Sequence, residues 1–175
     1  MINHYKIFLV GPMGVGKTTI GKGLAKKLAY DFYDVDHLIE EKAGADIAWI
    51  YDIEGPEGFQ RREEKIIDEY TQKNRLVLAT GGGAVLSPLC RANLTGRGFV
   101  VYLSAPIDSL LKRTEFDRKR PQLQTDEKNL VMREMLQKSI PFYQDIADLT
   151  VRTDQMPVAK IIKTIVDAID SESIS

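Results

Sequence analysis

A single cysteine, Cys90, leaves no internal disulfide to form, and the two histidines, His4 and His37, lack the clustered partners that a zinc site requires. Long apolar runs are also missing. The longest, Ile7 to Val10 and Phe99 to Leu103, have the length of buried strands and fall far short of a bilayer span. Neither charge sign is in excess, with 24 Lys and Arg against 25 Asp and Glu and a formal net charge of -1. Nothing global therefore attracts the chain to nucleic acid or an anionic membrane, and an anionic ligand must be held by local chemistry. The seven tyrosines are scattered and make no base-stacking platform. The opening MINHYKIFLVG lacks the basic region, apolar stretch and cleavage site of a signal peptide, so a cytoplasmic protein is expected. No repeat or low-complexity segment interrupts the chain. Residues 1–175 are expected to form one domain, monomeric, with a frayed tail over 170–175.

What is present is an alternation of short, β-branched apolar runs with longer segments of helical period, the pattern of βα units around a mostly parallel sheet. Strands are expected over Lys6–Val10, Phe32–Asp34, Leu76–Ala79, Phe99–Leu103 and Leu149–Arg152. Helices are expected over Lys17–Leu28, Asp36–Lys42, Pro56–Tyr70, Pro88–Leu94, Ile107–Thr114, Lys128–Ser139 and Val158–Ile169. Trp49, among the apolar residues of Ile47 to Ile53, reads as a packing residue. In an open parallel sheet, ligands bind beyond the carboxyl ends of the strands, which directs attention to the segments that follow them.

The first such segment, GPMGVGKT from Gly11 to Thr18, matches G-x-x-x-x-G-K-[ST] between an apolar strand and an amphipathic helix. Glycines at 14 and 16 let phosphate oxygens approach backbone N–H groups and permit positive φ angles. Lys17 brings a point charge to the β and γ phosphates, Thr18 offers a hydroxyl to Mg²⁺, and the helix start adds a partial positive charge. Gly11, Val15 and Thr19 belong to the same cradle. After the second strand, Asp34 and Asp36 sit two apart, and strand alternation would place both carboxylates on one face. Asp36 could instead simply cap the helix that follows. After the third strand, Gly81, Gly82 and Gly83 form a run that would weaken any helix or strand, which suggests a ligand close by. The charged stretch Thr114 to Thr125 reads as a mobile lid, with Arg118 and Lys119 as solvated charges.

These blocks, in this order and spacing from about Ile7 to Pro157, resemble the shikimate kinases, small P-loop proteins of the nucleoside-monophosphate-kinase-like group. The resemblance implies a three-layer αβα fold with a five-stranded parallel sheet of order 2-3-1-4-5, and transfer of the γ-phosphoryl of ATP to the 3-hydroxyl of shikimate. It implies that Asp34 helps hold Mg²⁺ and that Asp36 bonds the acceptor hydroxyl and takes its proton. It also implies that Gly81, Gly82 and Gly83 present N–H groups to the acceptor, and that helices over about 35–70 bind it. Arg120, in a lid over about 115–125, would close on the phosphates; Arg113 would lie by the adenine, and Arg152 to Pro157 would contact it. Phe59 and Glu63 match the acceptor pocket.

Two positions depart from that pattern. The family grips the shikimate carboxylate with two arginines, one in an F-R-x-x-E block and one in an R-x-P-x-Y block. Here Gln60 and Ser139 stand in those places, within Phe59-Gln60-Arg61-Arg62-Glu63 and Ser139-Ile140-Pro141-Phe142-Tyr143. Arg61 and Lys138 are each one residue away, a step that rotates a helical side chain by about 100°. A related polyol or cyclitol without a carboxylate is thus the alternative acceptor, and an ATP-binding module with weakened catalysis the other alternative. No N-K-x-D motif supports a GTPase, and the DVD and GGG blocks fit a nucleoside monophosphate kinase less well.

Overall fold

The chain was analysed as a computed structural model that describes residues 6–113 and 128–174. The expected lid from Thr114 to Thr125, with Arg118, Lys119 and Arg120, lies outside the described residues. In chain order the elements are β1 (Lys6–Val10), α1 (Lys17–Leu28), β2 (Asp31–Asp34), α2 (Val35–Ala43), α3 (Ile47–Tyr70) and β3 (Leu76–Ala79). A 3₁₀ turn (Ala84–Leu86), α4 (Pro88–Arg97), β4 (Phe99–Ser104), α5 (Ile107–Arg113), α6 (Lys128–Ile146), β5 (Leu149–Arg152) and α7 (Val158–Ile174) follow.

Strands buried on both faces are apolar, as β3 is throughout and β1 is from Ile7 on; Lys6, at the start of β1, is buried with its ammonium donating to the Thr71 carbonyl at 3.0 Å. All pairings are parallel in the order β2-β3-β1-β4-β5, as the resemblance implies, with Ile7 opposite both Val77 and Phe99. Alternation then divides the core into two layers. Phe8, Val10, Leu78, Val100 and Tyr102 face α2, α3, α4 and the end of α6. Ile7, Leu9, Val77, Val101 and Leu103 face α1 and α7.

Local signals set most helix ends. Ser87 caps α4 by accepting from Cys90 N–H, Pro88 takes the first helical position, and Gly98 ends the helix at Arg97, beyond the expected stop at Leu94. α2 stops at Gly44, in the left-handed region at φ 66°. α3 was expected from Pro56, yet begins at Ile47, capped by Asp46, and turns sharply at Gly55, whose φ of 72° and ψ of 178° are non-helical. Ile47 and Ile50 are buried in its first half, whereas Trp49 is 52 % exposed, so the expectation that Trp49 packs inside is wrong. Arg62 spans the turn with a two-pronged bond to Glu54, both contacts at 2.7 Å. α6 continues past the expected end at Ser139, with Pro141 inside it, because Tyr143 and Ile146 bury against the sheet. α7 runs to Ile174, past the expected stop at Ile169. No helix of the described residues is long and apolar enough to cross a membrane.

Candidate active site

The phosphate loop follows β1 and closes onto α1. Gly14 and Gly16 adopt φ of 81° and 105°, the positive values for which glycine was expected. Gly11 is constrained further: a Cβ there would lie 2.4 Å from the Leu103 carbonyl oxygen. Val15 is fully buried under the loop, while Thr18 and Thr19 are exposed at the start of α1. Lys17 Nζ donates to the carbonyls of Gly11 at 2.6 Å and Pro12 at 2.8 Å, which holds the ammonium against the loop. Arg113, at the end of α5, donates to the carbonyls of Gly14 and Val15, each at 3.1 Å. It thus braces the loop and lines the same cavity as Gly14, Gly16 and Lys17. Arg152 turns instead to Asp154, at 2.7 Å and 3.0 Å.

Asp34 ends β2 and caps α2, its Oδ1 accepting from the N–H groups of Asp36 at 3.0 Å and His37 at 3.4 Å. The cap therefore falls on Asp34. Asp36 lies in the first turn of α2, so strand alternation is not what relates the two carboxylates. Both nevertheless line one cavity of about 1000 Å³ together with Gly14, Gly16, Lys17 and Thr18. The second oxygen of Asp34 accepts from the Thr18 hydroxyl at 2.7 Å. Two hard oxygen donors beside a phosphate loop suit Mg²⁺, which takes few protein ligands and completes its shell with water and phosphate. Consistent with this, among the described residues there is no group of three or more His, Cys, Asp or Glu of the kind an all-protein cage needs.

Beyond the P-loop, Thr80 pins the end of β3 to β1, its N–H and its hydroxyl both donating to the Leu9 carbonyl at 3.1 Å. Gly81 follows, and a Cβ on it would come within 2.6 Å of Glu63 Oε2 and 3.0 Å of Asp36 Oδ1. The glycine run therefore lets two carboxylates converge on the backbone. Gly82 passes Met13 of the P-loop, its hypothetical Cβ 3.4 Å from the Met13 nitrogen, and its carbonyl accepts from the Tyr143 hydroxyl. Gly83 precedes the 3₁₀ turn, and Ala84 N–H closes back onto the Gly81 carbonyl at 3.2 Å.

On the far side of Met13 and Gly82 lies a second cavity of about 300 Å³, lined also by Tyr51, Phe59, Gln60, Glu63 and Met135. The kink in α3 makes it, because Tyr51 before the turn stacks on Phe59 after it with centroids 4.7 Å apart. Burial pushes the Tyr51 phenol up to about 12, with the Glu63 charge adding to the effect. Glu63 itself is only 3 % exposed, and burial, reinforced by the Glu64 charge, pushes its carboxyl up to about 8. No lysine or arginine lines this cavity among the described residues, whereas Glu57 and Glu63 do. Ser139 is buried and does not line it; it hydrogen-bonds the Tyr143 hydroxyl, whose titration burial drives upward. Lys138 is exposed, as is Arg61.

Of the residues singled out in the sequence, the structure thus gathers Gly14, Gly16, Lys17, Thr18, Thr19, Asp34, Asp36 and Arg113 in one cavity and Phe59, Gln60, Glu63 and Gly83 in the other, with Gly82 in both. Tyr51, Met13, Met135 and Tyr143 were missed. Only the Y-x₇-F spacing across Gly55-Pro56 could have pointed to Tyr51. Tyr143→Phe should cost about 1 kcal/mol in urea unfolding through loss of the bond to the Gly82 carbonyl. It should also raise acceptor KM while leaving ATP KM unchanged.

The shikimate kinase family model matches residues 13–170. A shikimate kinase of Legionella pneumophila (strain Corby) is 51 % identical over 160 residues, 91 % of each chain. One from Vibrio cholerae serotype O1 is 48 % identical over 170 residues, 97 % of this chain and 98 % of its own. Among solved structures, a shikimate kinase from Acinetobacter baumannii in complex with shikimate superposes with a TM-score of 0.95 at 42 % identity, covering 98 % of this chain and 96 % of that one. With a phosphate loop, a carboxylate pair and a glycine turn meeting at one sheet end, and with matches of this extent, the chain belongs to the shikimate kinase family.

Proposed function

We propose that this protein transfers the γ-phosphoryl group of ATP to the 3-hydroxyl of shikimate, acting as a cytoplasmic monomer on a small-molecule acceptor. The observation that carries this reading is the wall formed by Met13 and Gly82, which borders both cavities. A donor on the P-loop and an acceptor in the smaller cavity would meet across it. The P-loop N–H groups and Lys17 neutralise the β and γ phosphates. Thr18 and Asp34 would hold Mg²⁺, which supplies further positive charge to the transferring group. Asp36 accepts the hydroxyl proton as the hydroxyl oxygen bonds to the γ phosphorus and the bridging oxygen leaves with ADP. Gly81, Gly82 and Gly83 offer backbone N–H groups to the ring, Phe59 supplies an apolar wall, and Gln60 and Glu63 supply polar contacts. Arg120, from the resemblance, closes on the phosphates; Arg113 and Arg152 serve the nucleotide side.

A coupled ADP-release assay with ATP, Mg²⁺ and shikimate, quinate or uncharged cyclitols tests this. Saturable turnover with shikimate is expected; turnover with an uncharged ring alone would overturn it in favour of a polyol kinase. That second reading is favoured by one observation, the absence of a cation lining the smaller cavity among the described residues. Gln60→Arg discriminates between them. With shikimate as substrate it should lower KM by up to the ~1.5–3 kcal/mol of a charge-assisted hydrogen bond, roughly ten- to a hundredfold. An unchanged KM would show that another group already serves the carboxylate.

A further inference from the structure

A buried carboxyl facing a cavity that no lysine or arginine of the described residues lines calls for an explanation, since an isolated ionised carboxylate is strongly disfavoured there. Glu63 is such a group: its Oε2 is shielded from solvent with no hydrogen-bond partner. The same atom points across Gly81, and the residue lines the smaller cavity. Among the described residues, the groups around it add negative charge or burial rather than a compensating cation. Asp36 of α2 approaches the same side of Gly81, and Glu64 is its neighbour on α3. Tyr51 of α3, Cys90 of α4 and Tyr143 of α6 feel its charge and are themselves driven upward by burial. Among the described residues, Arg62 binds Glu54, and Arg91 donates to the Val85 carbonyl at 2.7 Å and lies 4.1 Å over the Phe142 ring. The 3₁₀ turn brings only Ala84, Val85 and Leu86.

We propose that Glu63 works as a neutral carboxylic acid and donates its O–H to the carboxylate of the acceptor, so that a hydrogen-bond donor stands where an arginine would otherwise supply charge. This rests on the reading of the acceptor as a ring monocarboxylate. Ionised Glu63 would instead set two carboxylates against each other in a cavity that no cation of the described residues lines. The sign follows from linkage: bound acceptor favours the protonated form, so affinity is full while Glu63 keeps its proton and falls as pH rises through about 8. Burial holds Tyr51 and Cys90 near 12, so they do not titrate in the same interval.

The test is the dissociation constant of shikimate by calorimetry, with KM alongside, from about pH 6 to about pH 9.5. Wild type should be flat at low pH and then weaken roughly tenfold per pH unit. Glu63→Gln retains an N–H donor but has no proton to lose in this range, and should remove the alkaline limb. Gln60→Arg should remove it too, by replacing the donor with a cation three residues away on the same helix. A wild-type profile flat to the alkaline end, or an unchanged limb in Glu63→Gln, would overturn the proposal while shikimate turnover stands. ¹³C NMR titration of the Glu63 carboxyl, assigned by its loss in Glu63→Gln, reads the protonation state without any acceptor. Ionisation near pH 4 there overturns the proposal whatever the substrate. If shikimate is neither bound nor turned over at any pH while an uncharged ring is, the acceptor reading and the donation to a carboxylate fall together.

Discussion

Asp36→Asn should lower kcat by about 10²–10⁴, the range for losing a positioned general base, while ATP affinity stays at the wild-type value. Asparagine keeps the volume and a hydrogen-bonding oxygen but cannot take the hydroxyl proton. The separation of effects follows from the geometry. Asp34 contacts the P-loop through the Thr18 hydroxyl and also caps α2. Asp36 lies beside Gly81, where Glu63 also converges and where the proposed acceptor would sit. Nucleotide binding measured by calorimetry and turnover measured with shikimate should therefore diverge in Asp36→Asn. In Asp34→Asn both should decline, with a loss of helix-cap stability added. Weakened ATP binding in Asp36→Asn would reverse the assignment of the two carboxylates.

Gly11→Ala should be the most damaging small substitution in the P-loop. At φ 150° an alanine is strained by about 1–3 kcal/mol before any contact is counted. Its methyl carbon would also lie 2.4 Å from the Leu103 carbonyl oxygen, a backbone atom fixed within β4. The loop must then move, and a displacement of about 1 Å at a reacting group costs on the order of a hundredfold in rate. Melting should fall by about 2–4 °C for each kcal/mol lost. Gly44→Ala is the control. It too has a positive φ, 66°, yet nothing lies within 4 Å of a Cβ there, so it should lower stability modestly and leave kcat/KM for ATP intact. Equal activity losses in both variants would mean that strain, not collision, dominates at Gly11.

The central strands were legible in the sequence because burial on both faces leaves continuous apolar runs, and β1, α1, β3 and β5 begin and end where expected. The P-loop was legible because phosphate binding demands particular residue types at fixed spacing. Elsewhere tertiary packing overrode local signals. Trp49 and Ile53, both more than half exposed, blur the amphipathic pattern of the first half of α3. Pro141 reads as a helix stop, but burial of Tyr143 and Ile146 carries α6 through it. The acceptor cavity was half legible: Phe59, Gln60 and Glu63 follow one another along a helix, whereas Tyr143 reaches Gly82 across 61 positions and leaves no local mark.

The turn at Gly55-Pro56 gives the protein a division of labour. The groups that handle phosphate sit at the carboxyl ends of β1 and β2, locked to the sheet by backbone bonds and caps. Tyr51, Phe59, Gln60 and Glu63 instead hang from a single bent helix, closed by the Arg62–Glu54 clasp. Residues on that helix can change what is gripped without disturbing how the phosphoryl group is moved. Substitutions there, Gln60→Arg among them, should therefore shift acceptor affinity more than the rate of phosphoryl transfer.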